Sequence, residues 1–100
     1  MYRIVGGRGT GKTYHLLKKA NERQGTVICS NPQAMRAKAR SWGFTDIKDF
    51  VDFKSIGSIE NNSSVFIDEL EQYIKEQFGR ETPICGYTYT FEEEEKYENN

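Results

Sequence analysis

The sequence predicts an α/β fold: three layers around a mostly parallel sheet of four or five strands, in one minimal domain. Three observations predict it. Short β-rich runs without polar alternation, Thr26-Val27-Ile28-Cys29-Ser30 and Val65-Phe66-Ile67, read as strands covered on both faces. Other stretches carry apolar residues at helical spacing with charged residues opposite. A Gly-rich turn, Gly6-Gly7-Arg8-Gly9-Thr10-Gly11-Lys12-Thr13, joins an apolar N-terminal run to the first such helix. Strand–turn–helix order of this kind builds βαβ units with right-handed crossovers. A chain of 100 residues, 36% hydrophobic and 13% aromatic, supports one modest core and leaves no room for a separate substrate domain.

Tyr2-Arg3-Ile4-Val5 reads as the strand entering the turn. The turn fits the Walker A pattern, Gly-x-x-x-x-Gly-Lys-Ser/Thr, at every specified position. Gly6, Gly7, Arg8, Gly9, Thr10 and Gly11 allow backbone N–H groups to face a phosphate; Lys12 is placed to reach β/γ oxygens, and the Thr13 hydroxyl suits Mg²⁺. A plain Gly-rich turn ending in Lys-Thr is the competing reading, and it gives no reason for both flanks to be right. Thr13 to Gln24 reads as a helix, with Tyr14, Leu16, Leu17 and Ala20 on one stripe and Lys18, Lys19, Glu22 and Arg23 opposite, stopped by Gly25. A phosphate in the turn then sits at a helix N-terminus. His15 stands near enough to reach a nucleotide, but ordinary helix surface is the simpler reading.

After the strand at Thr26–Ser30, Asn31-Pro32 supplies an N-cap and first-turn proline for a helix through Met35 and Ala39 to about Trp42, stopped by Gly43. Its Arg36, Lys38 and Arg40 make a basic side. A solvated face explains them most simply; a nucleic-acid contact, or an arginine given to a neighbouring subunit's nucleotide, is the sharper alternative. Residues 44–56 fit a short strand running into a helical turn or an edge strand. Trp42, Phe44, Phe50 and Phe53 suit either a platform for bases or, more simply for so short a chain, core packing. Ser55 to Ser64 reads as a loop.

Ser64-Val65-Phe66-Ile67-Asp68-Glu69 has the Walker B form, an apolar strand ending in two acids. Ligands bind at the carboxyl edge of open α/β sheets, so paired carboxylates there point to a site. Asp68 is placed to hold Mg²⁺ beside Thr13, and Glu69 to activate a water as general base. Alternatively, the pair caps the helix read at Leu70 to Phe78. Pro83 to Phe91 reads as a strand lying between the loop strand and the Walker B strand, with Thr88 or Thr90 at its end as a sensor of the γ-phosphate. The domain is thus expected to span residues 1–91, with 92–100 a frayed acidic tail.

A formal net charge of −1 gives no support for coating nucleic acid nonspecifically. Cys29 and Cys85 are far apart and form no Cys-x-x-Cys pair, so neither zinc nor a disulfide framework is indicated; both read as reduced strand residues. No apolar run approaches a membrane span. The turn begins so near Met1 that no removable leader is expected, and the expected location is the cytoplasm.

On Tyr2–Thr13, Val65–Glu69 and Gly86-Tyr87-Thr88-Tyr89-Thr90, the chain resembles P-loop NTPases that carry a catalytic glutamate after the Walker B aspartate, as in AAA-type and helicase-like ATPases. Its size is similar to that of small phage-encoded P-loop proteins, which would place it in the host cytoplasm. The resemblance implies a P-loop NTPase core that binds ATP, or GTP, with Mg²⁺. It implies Lys12 and Thr13 on phosphate and metal, Asp68 on metal, Glu69 on water, and slow hydrolysis. The site has no evident arginine finger of its own, so efficient turnover is expected to need a homo-oligomer or a partner supplying Arg36, Arg40 or Arg80. A fainter similarity, in Asp68-Glu69 and Gly86-Tyr87-x-Tyr89-Thr90-Phe91, is to thymidine kinases, whose zinc-binding Cys pairs and lasso have no counterpart in it.

Overall fold

The computed structural model describes residues 2–7, 9–79, 81–88 and 93–97. The elements run β1 (Tyr2–Gly6), α1 (Lys12–Glu22), β2 (Thr26–Ile28), α2 (Pro32–Ser41), β3 (Asp49–Val51), a 3-10 turn (Ile56–Ser58), β4 (Val65–Ile67), α3 (Leu70–Phe78) and β5 (Glu93–Tyr97). β2 is the centre of a three-stranded parallel sheet of order β3-β2-β4, where Val27 stands between Phe50 and Phe66. β1 pairs in parallel with β5, from Tyr2 opposite Glu93 to Gly6 opposite Tyr97. The single sheet of four or five strands expected from sequence is therefore, among the described residues, a sheet of three and a ladder of two.

Burial explains why β2 is central. Thr26, Val27 and Ile28 are 3%, 0% and 2% exposed, and three consecutive buried residues require cover on both faces. α1 contributes Leu17 and Ala20, and α2 contributes Met35 and Ala39, to a cluster with Val27, Cys29 and Phe50. Burying a side chain the size of Leu17 contributes about 1.5–3 kcal/mol. α1 touches β1, β2 and β4, so it bridges the two ladders, while α2 lies against β3.

Local chemistry sets the joints. The Asn31 side chain accepts from the Ala34 N–H at 3.1 Å with Pro32 in the first turn, as the sequence predicts for the start of α2. α1 ends at Glu22, two residues before the expected boundary, and the left-handed residue after it is Gln24 (φ 52). Gly25 is needed for a different reason. A Cβ there would stand 2.6 Å from the Phe66 ring and 2.9 Å from the Ser64 carbonyl oxygen, so no side chain fits. The return from α2 is tied down by Asp46 N–H to Asn21 Oδ1 (2.7 Å) and Lys48 N–H to the Gly25 carbonyl (2.9 Å). That return leads into β3, an edge strand followed by the 3-10 turn, and buries Phe50 and Phe53.

The carboxyl third departs from expectation. Residues 83–88 form no strand and are exposed; 89–91, the rest of the strand expected there, lie outside the described residues. Cys85 is accordingly exposed and off any strand, whereas Cys29 is buried just beyond β2; both are free thiols. In the segment expected to be a frayed tail, β5 forms and pairs with β1, because β1 offers a free edge and the backbone pairing needs no apolar side chains. Among the described residues, no helix is long and apolar enough to cross a membrane.

Candidate functional site

The site lies where α1 begins and β4 ends. After β1 the chain turns through Gly9 (φ +73) and Gly11 (φ +83), left-handed conformations that favour glycine. The Thr10 hydroxyl donates to the Gly7 carbonyl at 2.7 Å, and Lys12 Nζ donates to the same oxygen at 3.0 Å. Two donors from the far side of the loop thus fasten to its start, and the Lys12 ammonium folds back over it. Gly11 occupies the N-cap of α1 without a side-chain cap, and no acid stands in the first turn. The first amides of α1 are left uncapped by any side chain, with a lysine beside them, at the positive end of the helix dipole.

The second half arrives from 55 residues away in sequence. The Asp68 N–H donates to the Ile28 carbonyl at 2.9 Å, which carries the β2–β4 ladder one step past the strand and fixes where Asp68 emerges. The Thr13 hydroxyl then donates to Asp68 Oδ1 at 3.2 Å. Burial pushes the Asp68 carboxyl above its usual range; the Thr13 hydrogen bond and the charges of Lys38 and Lys12 oppose that rise, and Glu71 adds to it.

Glu69 takes the left-handed conformation (φ 58, ψ 62), uncommon for a residue with a side chain, at the N-cap of α3 without capping it. The capping alternative is thereby excluded for this side chain. Its carboxyl instead hydrogen-bonds that of Glu71. This bond, then burial and the charges of Glu71 and Asp68, push Glu69 up to about 7, while the same bond holds Glu71 low. The two carboxyls share a proton and titrate as a pair.

Lys12, Thr13 and Asp68 are brought together, with Gly6, Gly7, Gly9, Thr10 and Gly11 forming the loop beside them and Glu69 adjoining. Arg8 and Arg80 lie outside the described residues. Thr88 is exposed in the irregular stretch, with no hydrogen bond to the loop among the described residues. Arg36 is engaged elsewhere: it pairs with Asp49 at 3.4 Å and lies 5.0 Å from the centre of the Phe50 ring. The four-ring platform divides, Phe50 and Phe53 going inside. Trp42 and Phe44 join Tyr14 at 5.2 and 5.4 Å, so the end of α2 meets the first turn of α1.

Two neighbours were not legible beforehand. His15 is half-buried behind the loop, with Cδ2 3.7 Å from where a Cβ on Gly11 would stand, and its ring meets Tyr14 edge-on at 5.3 Å. Cys29 lies one step beyond the Ile28–Ile67 pairing, level with Asp68; burial and then the Asp68 charge push its thiol up to about 11, so it stays protonated near neutral pH. The strand register carries that information, and one sequence does not show which strands pair. A polar hollow bounded by Arg23, Lys48, Glu60 and Ser64 lies at the opposite ends of the strands.

The oxygen donors suit Mg²⁺. Among the described residues no group of three or more His, Cys, Asp or Glu side chains gathers to hold a metal. Thr13 and Asp68 provide two oxygens, and Mg²⁺ commonly takes one or two protein oxygens, with phosphate and water completing its shell. No protein-family model, no curated protein and no solved structure matches the chain.

Proposed function

We propose that the protein is a P-loop NTPase core that binds ATP with Mg²⁺ and hydrolyses it slowly. One observation carries this reading: the Thr13–Asp68 hydrogen bond, 3.2 Å long, which joins the residue ending the Gly-rich loop to the acid ending β4. A chance Gly-rich turn has no reason to meet a distant carboxylate through the hydroxyl that a metal site needs. Gly7 adds support. Neither its φ nor a neighbour within 4 Å calls for glycine, whereas a ligand lying against the backbone does.

The chain's own residues divide the work. The loop amides and Lys12 hold the β- and γ-phosphates and stabilise charge as it shifts toward the leaving oxygen, the dominant contribution in phosphoryl transfer. Thr13 and Asp68 hold Mg²⁺, which when bound bridges β- and γ-oxygens and neutralises their charge. Glu69, freed from Glu71, accepts the proton of the attacking water. Cys29 stays a neutral thiol at the floor of the site. GTP is an equally good fit to these groups, since none of them reads a base.

The expected result is calorimetric binding of Mg-ATP and slow phosphate release. Lys12→Ala is expected to abolish both, and Glu69→Gln to abolish release while keeping binding. Wild-type protein without Mg-nucleotide affinity would sink the proposal. A second reading, a nucleotide-dependent interaction module with negligible turnover, is favoured by the Glu69–Glu71 bond, which holds the general base away from its task. Phosphate release that stays negligible at high protein concentration, despite tight binding, would select it. Release that rises with concentration points to a second copy, and release stimulated only by an added protein or DNA points to that partner.

A further inference from the structure

Lys38 stood out in the sequence only as part of a basic helix face, and the structure separates it from its neighbours. At about 100° per residue, Arg36 and Lys38 flank the buried Met35–Ala39 stripe on opposite sides. Arg36 turns toward β3, where Asp49 and the Phe50 ring hold it. The Lys38 side is the one facing α1. Trp42, one turn further along the same face, meets Tyr14 ring to ring at 5.2 Å, and Tyr14 follows the Thr13 that bonds Asp68. Among the described residues no carboxylate pairs with the Lys38 ammonium.

We propose that Lys38 is a second cation of the phosphate site, meeting the terminal phosphate of a bound nucleoside triphosphate and so distinguishing triphosphate from diphosphate. The inference rests on the nucleotide reading above. Charge balance gives the reason. Asp68, Glu69 and Glu71 surround the corner with carboxylates, the triphosphate adds more negative charge than Mg²⁺ removes, and Lys12 alone answers it from the loop. Lys38 already acts on that corner: its charge draws the Asp68 carboxyl down more strongly than that of Lys12 does. The last turn of α2, anchored through Trp42 to Tyr14, thereby becomes a wall of the site rather than a solvated surface.

Calorimetry with Mg-ATP, Mg-ADP and Mg-tripolyphosphate on wild type, Lys38→Ala, Lys38→Arg and Arg40→Ala tests it. Lys38 is exposed, so the variants should keep the wild-type circular dichroism. Lys38→Ala is expected to weaken Mg-ATP and tripolyphosphate about tenfold and Mg-ADP less than about twofold, with Lys38→Arg restoring most of the difference and Arg40→Ala changing neither. Trp42 is the sole tryptophan, so its emission should respond to triphosphate more than to diphosphate. Wild type that binds Mg-ATP while Lys38→Ala leaves the ATP/ADP ratio unchanged overturns the Lys38 assignment alone. Wild type that binds no nucleotide overturns it together with the reading beneath it.

Discussion

α1 and α3 are both amphipathic helices that follow a strand, and they meet opposite fates. α1 buries Leu17 and Ala20 completely and bridges both ladders. α3 buries no residue; Leu70 and Phe78 remain 40% and 58% exposed, and its one ring contact is Tyr73 on Phe53 at 5.6 Å. An apolar stripe states which face of a helix favours burial, and the neighbours decide whether burial happens. The site straddles this divide. Its phosphate-facing half stands on α1 and the core, while Glu69 opens the uncovered helix and is held by a carboxyl pair. Binding is thus built into the packed half, and hydrolysis depends on the half that the chain leaves exposed.

The contrast breaks or sharpens under substitution. Leu17→Ala should cost the most, about 2–5 kcal/mol in denaturant unfolding, because it opens a cavity under α1. Gly25→Ala should follow at about 1–3 kcal/mol, since its methyl has to displace the Phe66 ring or the Ser64 carbonyl from β2's flank. Glu71→Gln should leave stability nearly unchanged and move Glu69. In metal-free protein followed by side-chain carboxyl NMR, Glu69 should titrate near 7 in wild type and fall toward its ordinary 4.5 in the variant. Because the folded value is raised, the stability Glu69 contributes is fully present below 4.5 and lost as pH rises through about 7, when the pair becomes doubly charged. A Glu69 midpoint that ignores residue 71 refutes the shared proton. The smallest effect belongs to Phe78→Ala, under about 0.5 kcal/mol. If it instead rivals Leu17→Ala, α3 is covered in solution and the comparison fails.

Legibility followed the range of the interaction. The Gly-rich loop, the Asn31 cap and the stripe of α1 depend on neighbours within a few residues, so spacing alone exposes them. The strand read over 83–91 failed in its described part for the complementary reason. β-branched and aromatic residues fit a half-buried pleat, but strand propensity without a partner and a covered face does not make a strand. Glu93–Tyr97 reverses the case, a charged run with poor strand chemistry that pairs because β1 has an edge to offer. Cys29, His15 and Lys38 escaped notice as site neighbours because their relevance lies in register and helix rotation.

By itself the sequence determined the parts: a loop able to wrap a phosphate, an apolar strand ending in Asp68 and Glu69, and an α/β order of elements. Each follows from residue type and local spacing. Only the tertiary structure decided that Thr13 lies 3.2 Å from Asp68, that Glu69 is bound to Glu71, and which helix is covered. Those outcomes depend on which strands pair beside β2 and on the rotation of α1 and α2 over them, and burial summed over the whole chain settles both.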